Sequence, residues 1–259
     1  MNHRRTILLA CVLPASILLA ISCARKRGAE EYAHLQSPVV TGAVRLVVEK
    51  TIGAGAVKSP AGLSAGPDGT LYLCDSGGRA VVRMNAAGEV LQRFAGFDAR
   101  GERLFTPVDV AAERGVDVFV LDGSSGRVIR LDRELRGQSV ILGGGRNGGF
   151  ARYAGIALDH ESGDLLLSDR NEGVLVRLDL TGRTTLVAGG FGSVKKSLRD
   201  PAGLDAGPDG AVFVADRGMK AVAFSSRFGA DTRHIGSGLL ASPVDAAALP
   251  DNRVAVVDS

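Results

Sequence analysis

From Val39 onward the apolar residues fall in short runs of about five, broken by clusters of Gly, Asp, Asn and Ser, and none of them keeps a helical period. The longest-lived pattern is LYLC at 71–74, VFVL at 118–121, LLLS at 165–168, VFVA at 212–215 and VAVV at 254–257. Each of these runs ends on an aspartate: Asp75, Asp122, Asp169, Asp216 and Asp258. The first four aspartates are spaced 47 residues apart, which marks a repeated supersecondary unit. Within a unit the pattern predicts four strands: strand a (PAGLSA, 60–65), strand b (TLYLC, 70–74), strand c (RAVVRM, 79–84) and strand d (EVLQRFAG, 89–96). Between them lie the turn sequences GPDG, DSGG and NAAG. Strand b is apolar at every position, as a strand must be when both faces of its sheet are covered. Tyr72, Phe119, Leu166, Phe213 and Ala255 share one place in it and are predicted to be core.

Four-stranded units of this length, repeated around an axis, make an all-β fold, the β-propeller, in which radial repetition leaves few free edges. The residues Pro60, Gly62, Leu63, Asp68-Gly69, Leu71-Tyr72-Leu73, Asp75-Ser76 and Arg79, and again Pro201, Gly203, Leu204, Val212-Phe213-Val214 and Asp216, resemble the repeat of the NHL family. The resemblance runs from Val39 to the end and implies four-stranded blades; it implies no particular activity. Four copies are complete, and a fifth stops after strand b. The segment AVRLVVEKTIG (43–53) matches a strand d and SPVVT before it a strand c, so a five-bladed ring closed by N-terminal plus C-terminal strands is expected. The alternative is a truncated six-bladed NHL propeller.

The first residues change the picture from a free domain to an exported one. A basic MNHRR start, the apolar run TILLACVLPASILLAIS and then Cys23 read as an export leader, with residues 1–22 the signal peptide. Leu19-Ala20-Ile21-Ser22-Cys23 resembles the lipobox of bacterial lipoproteins, which implies lipidation of Cys23, a linker over 23–38 and a propeller over 39–259. Arg4-Arg5 also resembles a twin-arginine signal, so the export route stays open. Ala24 after the cysteine resembles lipoproteins sent to an outer membrane, facing the periplasm. Cys11 would leave with the leader, and only Cys74 would remain as a thiol, so stability has to come from the core. The net charge of +3 falls to +1 without Arg4 and Arg5, too little for a general nucleic-acid binder.

Candidate chemistry is sparse. An Asp at the mouth of a b–c turn accepts hydrogen bonds from backbone amides further along, so the repeated Asp is expected to be structural. GGGRNGGF (143–150) lacks the Gly-Lys-Ser/Thr end of a phosphate loop. His160 and His234 fall in unrelated positions, and Cys74 sits in the slot of Leu121, Ser168 and Ala215, so no nucleophile or metal centre is predicted. Topology adds one inference, because d–a and b–c connections share one face of a propeller. That face collects Arg79, Arg127, Arg146, Arg170, Lys195, Lys196, Arg217 and Lys220, while Asp68, Glu89, Asp159 and Asp179 go to the other. Some of these arginines are expected to pair with the neighbouring Asp. The expected function is a non-enzymatic binding scaffold at the cell envelope, without a cofactor, that takes an anionic glycan, polymer or protein on the basic face. The alternative is a lactonase-like metal-dependent hydrolase or lyase with one divalent cation, Ca or Mg, at the axial mouth. A third reading is an assembly subunit that uses blade edges.

Overall fold

The computed structural model describes residues 52–53, 55–95, 106–112, 116–136, 139–143, 152–189, 198–207, 210–227, 232–249 and 253–259. Every element among them is a strand. The first unit holds β1 (Pro60–Ala65), β2 (Leu71–Asp75), β3 (Ala80–Met84) and β4 (Val90–Phe94), and the second β5 (Pro107–Ala112), β6 (Asp117–Asp122), β7 (Arg127–Asp132) and β8 (Ser139–Gly143). The third is β9 (Tyr153–Leu158), β10 (Leu165–Asp169), β11 (Val174–Leu178) and β12 (Thr184–Gly189). The fourth is β13 (Pro201–Ala206), β14 (Val212–Asp216), β15 (Ala221–Ser225) and β16 (Thr232–Ile235), followed by β17 (Pro243–Leu249) and β18 (Arg253–Asp258). Each of the first four units is an antiparallel four-stranded sheet in sequence order, and β17 and β18 pair as a two-stranded sheet. This is the β-propeller that the repeat predicts. The first strands β1, β5, β9, β13 and β17 pack on one another in succession and line the axis, whereas β4, β8, β12 and β16 are solvated outer edges.

Alternation along strand b explains its unbroken apolarity. Tyr72 and Cys74 point into the interface with the second unit, against Val110, Val118 and Val120, while Leu73 points to the opposite side with Val82 and Met84. The second unit repeats this, with Val118 and Val120 on one side and Phe119 and Leu121 turned to the third. Each fully buried side chain of this kind contributes roughly 1.5–3 kcal/mol, so the inter-unit interfaces are where the fold gains its stability. Phe213 and Phe224 carry the interface of unit four with β17 and β18, their ring centroids 5.2 Å apart. Val254 to Val257 in β18 are only half-buried, unlike the equivalent strands. Among the described residues β17 and β1 do not pack together as the other successive inner strands do, and Ala56 and Val57 cover that side of unit one. Ring closure by the segment 43–53 lies outside the described residues except for Ile52 and Gly53, which meet Gly88 and Met84. The leader, Cys23 and the linker also lie outside them.

The inner strands approach closely because of a glycine. In the first and fourth units strand a begins Pro-Ala-Gly, and the pairing with strand b is bulged there, between Pro60 and Leu63 and between Pro201 and Leu204. A Cβ at Gly62 would lie 2.5 Å from the Cα of Asp109, and one at Gly203 would lie 2.0 Å from Asp245 Oδ1 and 3.0 Å from its Cα. Gly203→Ala is therefore expected to force β13 from β17 and cost about 1–3 kcal/mol. In Gly69→Ala the new methyl meets nothing within 4 Å, and only the backbone φ of 77° is penalised, by about 1 kcal/mol. Urea midpoints read both, and an unchanged midpoint for Gly203→Ala contradicts the close approach.

Candidate functional site

The face that carries the d–a and b–c connections is organised by the repeated aspartate. In unit one the buried Asp75 accepts hydrogen bonds from the amides of Lys58 (3.0 Å) and Ser59 (2.9 Å), just before strand a, and from Gly78 (2.9 Å) in the b–c turn. Unit four repeats the geometry, with the amides of Arg199 (2.8 Å), Asp200 (3.0 Å) and Met219 (3.1 Å) donating to Asp216. Asp122 takes the amides of Thr106 and Ser124, Asp169 those of Asn171 and Glu172, and Asp258 those of Ala241 and Ser242. One backbone bond accompanies the carboxylate in every unit: Ser76 to Ser59, Gly123 to Thr106, Arg170 to Arg152, Arg217 to Asp200 and Ser259 to Ser242, at 2.9–3.2 Å. Burial works to raise the Asp75 carboxyl, but the three amides and Arg93 outweigh it and hold it below its ordinary range.

The cations expected on this face divide into two groups. Arg127 is buried, its guanidinium 3.3 Å from Asp122 and its Nε donating to Ser125 Oγ at 2.9 Å. Arg170 and Arg217 share Asp200 from adjacent units, at 3.2 and 3.1 Å, and Arg170 also donates to the Pro201 carbonyl at 3.0 Å. These three are spent on the fold. Arg79 and Lys220 are exposed, and Lys58, Arg152 and Arg199 stand exposed on the same face, with Glu172 and Asp258 as exposed acids among the described residues. Arg146, Lys195 and Lys196 lie outside the described residues. The opposite face is mixed, with exposed Asp68, Glu89 and Glu161 against Arg133, Arg136 and Arg183. It also holds a tight ion cluster between units three and four: Arg177 contacts Asp159 at 2.6 Å and donates to the Arg227 carbonyl at 3.2 Å, and Arg227 reaches Glu161 at 2.8 Å. Burial would raise the Asp159 carboxyl, but Arg177, Ser162 and the Glu161 amide hold it at about 2.

Arg79 and Lys220 share an unusual backbone. Both close a b–c turn in the left-handed region, at φ 50° and 52°, where units two and three have Gly126 at 67° and Gly173 at 63°. A non-glycine residue there costs of order 1 kcal/mol.

The axis carries acids of its own, on the inner strands β5, β13 and β17. Asp109 Oδ1 accepts from its neighbour Val110, and Oδ2 from Ile156 on the next inner strand, both at 2.9 Å. Asp205 reaches Ala248 in the same way at 2.9 Å, and Ser64 Oγ accepts from Ala112 at 3.1 Å. These are inter-unit stitches. Enclosure by protein pushes Asp109 up to about 8, with Asp245 adding to it. Asp205 is raised for the same reason, with His160 partly offsetting it. The sequence signal was one strand position restricted to Gly or Asp, namely Gly62, Asp109, Gly155, Gly203 and Asp245. Among the described residues no group of three or more His, Cys, Asp or Glu is placed to hold a metal ion. Cys74 is fully buried, which pushes its thiol well above the ordinary value and leaves it inert.

No family model matches the chain, and no curated protein matches it in sequence. Solved β-propeller structures do match it. A streptogramin B lyase is 14% identical with a TM-score of 0.60, over 77% of this chain and 62% of that one. A structure of a nidogen/laminin complex gives 16% identity and a TM-score of 0.62, over 77% of this chain and 72% of that one. A gluconolactonase from Xanthomonas campestris gives 16% identity and a TM-score of 0.62, over 77% and 69%. The chain therefore spans less than two thirds of the length of the streptogramin B lyase. At these identities the likeness establishes the fold alone.

The axial acids set a pH dependence. A carboxyl whose pKa is raised on folding keeps a proton that the unfolded chain has lost, so its contribution is complete below about 4 and is lost as pH rises through the folded value. For Asp109 that window runs up to about 8. Asp159, held at about 2, acts only below this range. The melting temperature is expected to fall from pH 5 to pH 8, and Asp109→Asn is expected to flatten the upper part of that slope. Melting curves at half-unit pH steps read this, and an identical slope in the variant contradicts it.

Proposed function

We infer that the chain is a non-enzymatic binding module of the NHL-repeat kind, exported and lipid-anchored through Cys23 at the outer membrane of a bacterial envelope. Its loop face takes an anionic glycan, polymer or protein. The lipobox-like residues before Cys23 support the anchor, and the repeat motif supports the family. One observation carries the binding reading: on this face Asp75, Asp122, Asp169 and Asp216 are buried under backbone amides, while five cations, Lys58, Arg79, Arg152, Arg199 and Lys220, stand exposed against two exposed acids, Glu172 and Asp258. A buried carboxylate encircled by amides contributes little negative field at the surface, so the exposed cations set the local potential and attract anions. Of the axial carboxylates, Asp109 and Asp205 are committed to inter-unit amides. The neighbours suit either outcome, since one comes from a nidogen/laminin complex and the others are a lyase and a gluconolactonase.

The test is binding of fluorescent dextran sulfate and of neutral dextran to the full chain in a nonionic detergent. Dextran sulfate is expected to bind with an affinity that falls as salt rises, and neutral dextran not to bind. Joint reversal of Arg79→Glu and Lys220→Glu is expected to weaken binding about tenfold, or about 1.4 kcal/mol. Reversal of Arg133→Glu and Arg136→Glu on the opposite face is expected to leave it unchanged. Equal losses from both pairs, or equal binding of the two dextrans, overturn the reading.

A further inference from the structure

Four cations of the loop face are arranged as two copies of one corner. In unit one Lys58 lies two residues before Pro60 and Arg79 four residues after Asp75; in unit four Arg199 lies two residues before Pro201 and Lys220 four residues after Asp216. In each copy the first cation's own amide donates to the anchoring carboxylate, Lys58 to Asp75 at 3.0 Å and Arg199 to Asp216 at 2.8 Å. The second closes the turn on the same carboxylate. The equivalent places in the second unit are Phe105 and Gly126, and in the third Ala151 and Gly173, so among the four complete units the dibasic corners occur in units one and four.

Folding does not account for the cations at the turn. Glycine fits a left-handed position without cost, and units two and three use it. The other described non-glycine residue with a positive φ, Leu135, is 2% exposed and packs in the core between units one and two, which is what holds it there. Arg79 and Lys220 are exposed, and among the described residues neither side chain is engaged with a carboxylate or another side chain. Long cations in an unfavourable backbone, unpaired, at matched positions, are what a binding surface requires and a folding surface does not.

We propose that Lys58 with Arg79 and Arg199 with Lys220 are the two halves of one bivalent site on the loop face, which takes a linear polymer with repeated anionic groups. The proposal rests on the anion-binding reading of this face and makes it specific. Two like subsites on separate units favour a ligand that repeats, because the second contact is then intramolecular and adds avidity without new chemistry. An acidic protein patch, with one fixed charge geometry, has no such need for matched corners.

The test compares long dextran sulfate with a short sulfated oligosaccharide on the full chain, for wild type, Arg79→Gly and Lys220→Gly. Each substitution puts glycine where the backbone favours it, so the melting temperature is expected to rise by about 2–4 °C and a folding defect cannot mimic lost binding. Each single variant is expected to lose about tenfold or more of its affinity for the long chain while binding the short one within about twofold of wild type. Equal losses on both probes, or no loss on the long one, overturn the bivalent site and leave the face reading intact. Wild type that binds neither probe overturns the face reading itself.

Discussion

In units one, two and four a buried aspartate ties the approach to strand a to the b–c turn, beside a backbone bond between the same two segments. The need is physical: strand b is sandwiched between two sheets, so the turn at its end emerges from a dry interface with amides that must be satisfied. One carboxylate, with several acceptor sites, meets that need where a neutral side chain would meet part of it. The same carboxylate then fixes where the flanking residues point. Lys58 and Arg79 around Asp75, and Arg199 and Lys220 around Asp216, are held by their backbones and leave their side chains to solvent.

The inner strands solve a related problem at the axis. Five strands converging there need close approach and paired amides, and the chain supplies both by setting Gly62 opposite Asp109 and Gly203 opposite Asp245. Where the carboxylate of one inner strand reaches the next, as Asp109 does to Ile156, it stitches two units at the cost of a carboxyl that is hard to ionise. The solvated far face spends its charges differently, on the Arg177–Asp159–Arg227 cluster that ties units three and four. Charged residues on three surfaces of the propeller thus serve cohesion first. Those left over on the loop face are few, and that is why their positions carry information.

Much of this was legible in the sequence. The spacing of Asp75, Asp122, Asp169 and Asp216 and the two-sided apolarity of the runs before them predict the strands; β1 coincides with PAGLSA, β2 takes in Asp75 itself, and β4 stops at Phe94, two residues short of the expected Gly96. The face assignment of the arginines followed from connectivity alone. Their fate did not, because whether Arg127 is buried on Asp122, or Arg170 and Arg217 meet at Asp200, depends on contacts between units that no local pattern encodes. Lys58 went unnoticed for the same reason: its place beside Arg79 exists only once Asp75 has joined two distant turns. The left-handed turn position was available in principle, since Gly126 and Gly173 mark it in two units and Arg79 and Lys220 replace them in the others.

The central claim is that a single carboxylate builds each corner of the loop face, and amide hydrogen exchange tests it directly. In Asp216→Ala the account predicts that the amides of Arg199, Asp200 and Met219 exchange about tenfold faster or more, while those of Lys58, Ser59 and Gly78 around Asp75 keep their wild-type protection. Unchanged protection at Arg199, Asp200 and Met219 would contradict it, for the corner would then be held by something other than the aspartate.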